Sequence, residues 1–110
     1  MALQKTFDWK GSTFATAYWR IIDFDFKPEG SFGKVTVAVY STEAARTADG
    51  ANNILTTKDF MSPASGGGTG DLLPNFATVM AAFDGTTEGA RDYLYTVLKD
   101  TTTLTGATDV

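Results

Sequence analysis

The chain contains no cysteine and no histidine. Without cysteine there is no disulfide framework and no thiolate zinc site, which fits a reducing compartment. Without histidine the commonest general base and the commonest nitrogen ligand for metals are missing. Ser-His-Asp and Cys-His catalytic arrangements are thereby excluded. Basic residues are few: Lys5, Lys10, Arg20, Lys27, Lys34, Arg46, Lys58, Arg91 and Lys99 are scattered among thirteen acidic ones, for a net charge of −4 and an isoelectric point near 4.5. A nucleic-acid binder neutralises phosphates with a basic stripe. None is present, so no nucleic-acid partner is expected. Long hydrophobic runs are missing too. The apolar stretches are a few residues long, against the roughly 20 that span a bilayer. The opening Met-Ala-Leu-Gln-Lys-Thr also lacks the apolar run of a signal peptide. No membrane partner is expected, and synthesis in the cytoplasm is.

What is present suffices for one modest core. In 110 residues, 43% are hydrophobic and 13% aromatic, which argues against disorder and for a single domain over residues 1–110. A domain of this size leaves much of its surface in water, so partners that cover more of it are favourable.

Residues 17–27 read as the clearest strand. Period-two alternation places Tyr18, Arg20, Ile22, Phe24 and Phe26 on one face, expected to pack on the core, and Trp19, Ile21, Asp23, Asp25 and Lys27 on the other. Trp19 and Ile21 are apolar on a face that Asp23 and Asp25 make wet, so this end is expected to be covered by another element or another subunit. The turn-rich Pro-Glu-Gly-Ser-Phe-Gly at 28–33 leads to a return strand over 34–42, where Val35, Val37 and Val39 share a face. Residues 1–10 read as an N-terminal arm or edge strand, with Leu3, Lys5, Phe7 and Trp9 on one side.

Residues 42–48 suit one or two helical turns. A further strand is expected over 54–61, closing at Ser62 and Pro63. The Gly-rich stretch within 62–71 reads as a flexible loop, and a helix is expected over about 75–82. The clearest helix lies within 84–100. Ala90, Tyr93, Leu94, Val97 and Leu98 recur on one face, Thr86 or Thr87 can cap it, and Glu88 and Lys99 suit its two ends. Residues 101–110 read as an extended C-terminal tail. Strands first and helix last give an α+β fold: a small antiparallel β-sheet with a C-terminal α-helix packed on one face.

No constellation in this inventory carries chemistry. Asp23 and Asp25 point the same way along a strand, but no third acidic residue is spaced to complete a Ca²⁺ or Mg²⁺ site. The loop at 49–53 (Asp-Gly-Ala-Asn-Asn) offers oxygens without the spacing or terminal Glu of an EF-hand. The Gly run at 66–70 lacks the Lys and Ser/Thr of a phosphate-binding loop, and Asp71 after it would repel phosphate. Residues 83–86 (Phe-Asp-Gly-Thr) do not meet the Asp-Thr-Gly order of an aspartic protease. The expectation is no catalytic residue, no metal and no cofactor.

Aromatics crowd the first third of the chain, more of them than a small core can hold. Phe7, Trp9, Trp19 and Ile21 are therefore the expected interface residues. On this reading Trp19→Ala is expected to impair assembly more than folding.

Several segments fall in a telling order: the opening Met-Ala-Leu-Gln-Lys-Thr, Ala-Tyr-Trp-Arg-Ile at 17–21, and Val-Thr-Val-Ala-Val-Tyr at 35–40. Glu-Ala-Ala-Arg at 43–46, Tyr-Leu-Tyr-Thr-Val-Leu-Lys at 93–99 and the closing Gly-Ala-Thr-Asp-Val at 106–110 follow. In this order and at this length the chain resembles small structural proteins of the tail and baseplate modules of tailed bacteriophages and prophages. The likeness is weakest over 52–84. It implies a non-enzymatic virion component of the tail or baseplate, forming a homo-oligomer within the particle and contacting other virion structural proteins. Two alternatives stand beside it: a carbohydrate- or receptor-binding module of a tail fibre, using the same aromatics, and a head decoration protein.

Overall fold

Alternating valines set the middle of the molecule. The computed structural model describes residues 2–50 and 52–110; Met1 and Ala51, the latter within the 49–53 loop considered above, lie outside them. In chain order the elements are β1 (Leu3–Gln4), β2 (Phe7–Trp9), β3 (Ser12–Phe14), β4 (Tyr18–Lys27), β5 (Phe32–Tyr40), α1 (Glu43–Ala48), β6 (Ile54–Ser62), α2 (Phe76–Ala82), α3 (Thr87–Leu98) and β7 (Thr108–Asp109). Five strands form one sheet in the order β6-β5-β4-β1-β7, and β2 and β3 form a separate hairpin. Every pairing in the larger sheet is antiparallel. The fold is α+β, with the C-terminal helix on one face of the sheet.

The inner face carries Leu3, Trp19, Ile21, Val35, Val37, Val39 and Phe60, all buried under Leu73, Val79, Leu94, Tyr95, Leu98 and Leu104. Each fully buried aliphatic side chain of this kind contributes about 1.5–3 kcal/mol, so the valine row of β5 and its helical cover are the main stabilising contacts. The helices start where short polar side chains take up free N–H groups. Ala45 N–H donates to Thr42 Oγ1 at 3.1 Å, Thr78 N–H to Asn75 Oδ1 at 3.0 Å, and Gly89 N–H to Thr86 Oγ1 at 3.0 Å. Such a cap stabilises its helix by about 1 kcal/mol.

The face assignment expected for β4 is corrected by a β-bulge. Ile21 pairs with Val37 and Asp23 with Thr36, so Ile22 is an extra residue without a partner on β5. One inserted residue shifts the phase of everything after it. Trp19 and Ile21 before the bulge therefore share the inner face with Phe24 and Phe26 after it. Tyr18 and Arg20 share the outer face with Asp23 and Asp25. Ile22 itself is 46% exposed. At the far end of the hairpin Phe26 lies opposite Gly33, whose missing Cβ leaves room for the ring.

The two ends of the chain are part of the sheet. β1 lies between β4 and β7, and Ala2 and Val110 exchange backbone hydrogen bonds of 3.1 and 3.0 Å. The N-terminal residues are thus an interior strand followed by a hairpin. Within 101–110 only Thr108–Asp109 is a strand; before it the chain runs through turns that bury Thr101 and Leu104. The Gly-rich segment is tied down on several sides. Gly68 N–H donates to Leu73 O, Leu73 N–H to Met61 O, and Thr102 N–H to Gly70 O, all within 3.0 Å.

Candidate functional site

The β2–β3 hairpin closes through Lys10 and Gly11, both with positive φ (50° and 82°). That is the two-residue turn whose twist matches antiparallel strands, and Gly adopts its second position without steric cost. Phe7 pairs with Phe14 and Trp9 with Ser12, so Phe7 and Trp9 share one face. Their rings stack with centroids 5.9 Å apart, and Phe7 meets Trp19 edge-on at 5.2 Å. The Trp19 indole N–H donates to Lys5 O at 3.1 Å. Trp19 thus anchors the hairpin to the core through Phe7, while Trp9 stays half-buried at the surface with the Lys10 ammonium 5.5 Å above its ring.

Beside these rings lies a groove of about 270 Å³ lined by Phe7, Trp9, Trp19, Val39, Thr56, Thr57 and Lys58. Its floor is the inner face of the sheet and its outer wall is β6. Lys58 sits on the same face as Val37 and Ile21, and its ammonium reaches Asp71 at 3.4 Å and Thr103 Oγ1 at 2.9 Å. Asp71 also accepts from Thr103 N–H at 2.8 Å. Burial works to raise the Asp71 pKa, but the Thr103 hydrogen bonds and the Lys58 charge outweigh it and hold the carboxyl below its ordinary value. This triad pins the Gly-rich segment and the C-terminal turns across the end of the sheet.

β6 is an edge of the sheet. Among the described residues its outer side takes one backbone hydrogen bond, from Leu73 N–H to Met61 O at 2.9 Å. A long open edge is a template for further strand pairing.

Of the four expected interface residues, Phe7 and Trp9 line the groove at the surface. Trp19 and Ile21 are 2% and 6% exposed and belong to the core; the Ile22 bulge turns them inward, and Tyr95 covers Ile21. An assembly role for Trp19 separable from folding is therefore not compatible with its position. Sequence reasoning missed the hairpin turn, for which Lys10-Gly11 between two aromatic segments was the available signal. It also missed the β6 edge and the Lys58–Asp71–Thr103 contacts, which no local pattern marks.

Other places considered for chemistry have structural roles. Asp23 and Asp25 lie on the solvent face, with Asp25 3.5 Å from Lys27. Among the described residues no three Asp, Glu, His or Cys side chains gather as metal ligands. Asp84 accepts from Thr86 N–H and Oγ1 at 2.8 and 2.7 Å, which orders the start of α3; the Thr86 hydroxyl and N–H hold its pKa below the ordinary value. A second, more open groove of about 620 Å³ lies at the β4–β5 turn, lined by Phe26, Lys27, Pro28, Glu29, Gly30 and Phe32. No protein-family model, curated protein sequence or solved structure matches the chain.

Proposed function

We propose that the chain is a non-enzymatic structural subunit of a tailed-bacteriophage particle, a tail or baseplate component that works by docking onto neighbouring subunits. The observation that carries this reading is the Phe7–Trp9 hairpin set beside an open strand edge. Two stacked aromatics rest on the core through Trp19 and border a groove, and the groove's outer wall is an edge strand whose outer side, among the described residues, takes a backbone hydrogen bond only at Met61. Aromatic anchors and exposed strand edges are both recurring means by which proteins bind other chains. The order of segments along the sequence adds the virion context.

The sugar-binding alternative draws less support from the same residues. Trp9 is already stacked with Phe7 and carries Lys10 over its ring, which leaves little free aromatic face for a sugar.

Mass spectrometry of particles purified from the phage or induced prophage that encodes the chain tests the proposal. The expected result is the chain among the virion proteins at a fixed copy ratio to a tail component. Its absence from purified particles overturns the reading.

A further inference from the structure

We infer that the Asp84–Gly85 link is a site of spontaneous isoaspartate formation in the folded protein, and that the change loosens the start of α3. This chemistry is independent of the structural-subunit reading. Asp followed by Gly occurs twice in the chain, at 49–50 and 84–85. In such a pair the Gly nitrogen can attack the Asp carboxyl carbon, because Gly has no side chain to obstruct the approach. The C–N bond forms and one carboxyl oxygen leaves as water, taking the amide proton and one from solvent. Water then adds to either carbonyl of the cyclic imide. Opening at the main-chain carbonyl routes the backbone through the former side chain, with no net change in atoms.

The fold separates the two sites. At Asp49 the backbone is held on both sides: its N–H donates to Ala45 O at 3.3 Å, and its C=O accepts from Asn53 N–H at 3.0 Å. Its ψ of 87° turns the Gly50 nitrogen away from the side chain, so ring closure requires a large rotation about that bond. Gly50 has little room to follow. A Cβ there would lie 3.3 Å from Arg46 O and 3.8 Å from the Tyr40 hydroxyl. The Asp49 carboxyl is also drawn past Gly50 to Asn52, whose N–H and side-chain amide donate to it at 3.2 and 2.8 Å.

Around Asp84 the backbone is free to turn. Among the described residues no other backbone group bonds the N–H or C=O of Asp84 or Gly85. Both residues are exposed, and a Cβ on Gly85 would meet nothing within 4 Å. Segments whose backbone is solvated and unbonded open at little cost. The Asp84 carboxyl folds back over Gly85 to accept from Thr86 N–H and Oγ1, which holds its carbon close to the attacking nitrogen. Both carboxyls are hydrogen-bonded, so the backbone decides between the two sites. The consequence falls on α3. The Asp84 carboxylate lies against Gly89 and orients the Thr86 hydroxyl that caps the helix. Isomerisation draws that carboxylate into the chain, and the cap loses its brace.

The experiment incubates the full chain in neutral buffer at body temperature, natively and in concentrated urea, alongside Asp84→Glu. Glutamate would have to close a larger and much slower ring, and its exposed position leaves it room. Isoaspartate is located by peptide mapping with electron-transfer fragmentation, which distinguishes the two linkages at equal mass. The expected result is accumulation at 84–85 several-fold faster than at 49–50 in the native chain, rates that converge in urea, and no product at residue 84 in the variant. The isomerised protein, separated by ion exchange, is expected to melt below the parent. Native product at 49–50 equal to or above that at 84–85, or none at 84–85 while the urea sample converts, overturns the inference. An unchanged melting temperature overturns the assigned effect on α3.

Discussion

The backbone N–H of Ile21 donates to the phenolic oxygen of Tyr95 at 2.8 Å, a buried bond between residues 74 positions apart. β1 pairs with β4 only as far as Trp19, so the ladder on that side ends before Ile21. The Tyr95 oxygen from α3 takes the place of the missing strand partner. This bond fixes the helix over the sheet immediately beside the bulge.

Tyr95→Phe keeps the ring and removes the acceptor, leaving a buried N–H unpaired. The expected loss of stability is about 1–3 kcal/mol, read from urea unfolding. A change indistinguishable from zero would mean that Ile21 finds another partner. Burial raises the Tyr95 pKa, against the lowering effect of the Ile21 N–H. A raised folded-state value means that the associated stability is complete below the unfolded pKa of about 10. It is lost as pH rises through the folded-state value, so an ultraviolet titration of the folded protein should show at least one tyrosine ionising late.

The bulge has its own test. Because Ile22 is the unpaired residue, deleting it leaves Ile21, Asp23 and Phe24 in regular alternation opposite Val37, Thr36 and Val35. Deletion of Ile22 is expected to preserve a cooperative thermal transition. Deletion of Asp25 would turn Phe26 outward and is expected to abolish that transition. Equal damage from both deletions would show that the bulge is needed for more than its count of residues.

Trp9 and Trp19 should separate sharply. Trp19→Ala opens a cavity in the core at a cost of about 3–5 kcal/mol. Trp9→Ala removes a half-buried surface ring and is expected to cost about 1 kcal/mol or less, while lowering incorporation into particles. Chemical denaturation of the two variants, followed by particle analysis of the stable one, checks both halves.

Gly67 has φ +86°, and a Cβ there would lie 2.5 Å from Leu73 O; Gly68 has φ +78° and nothing within 4 Å. Gly68→Ala thus meets backbone strain alone, about 1–2 kcal/mol. Gly67→Ala adds a clash against the segment that covers Met61 and should lower the melting temperature more. Equal shifts would mean that the loop moves aside freely.

Asp71 should contribute to the acid limb of stability. Its pKa is held down in the folded state, after the opposing effect of burial, by Thr103 and Lys58. The stability linked to it is therefore present above the unfolded carboxylate value of about 3.9 and is lost as pH falls through the lower folded value. Asp71→Asn should flatten that part of the stability–pH profile while reducing stability near neutrality. An unchanged slope in acid would remove Asp71 from the account.

The sequence by itself determined what short-range periodicity and composition can determine. Val35, Val37 and Val39 marked a half-buried strand, and Ala90, Tyr93, Leu94, Val97 and Leu98 marked a helical face. Of that face Ala90, Leu94 and Leu98 are buried, together with Tyr95 outside that set; of the two candidate caps, Thr86 and Thr87, the helix uses Thr86. The excess of aromatics near the N-terminus singled out Phe7, Trp9, Trp19 and Ile21 together, without separating the half-buried pair from the buried one. Only the tertiary structure decided that Trp19 and Ile21 face inward, because one bulged residue inverts the phase of a two-residue repeat and leaves no mark in composition. Strand order was equally out of reach. That Leu3 pairs with both Trp19 and Asp109, and that β6 is left at an edge, follows from contacts between distant parts of the chain. Such contacts form by shared burial and backbone pairing, which no local window of residues encodes.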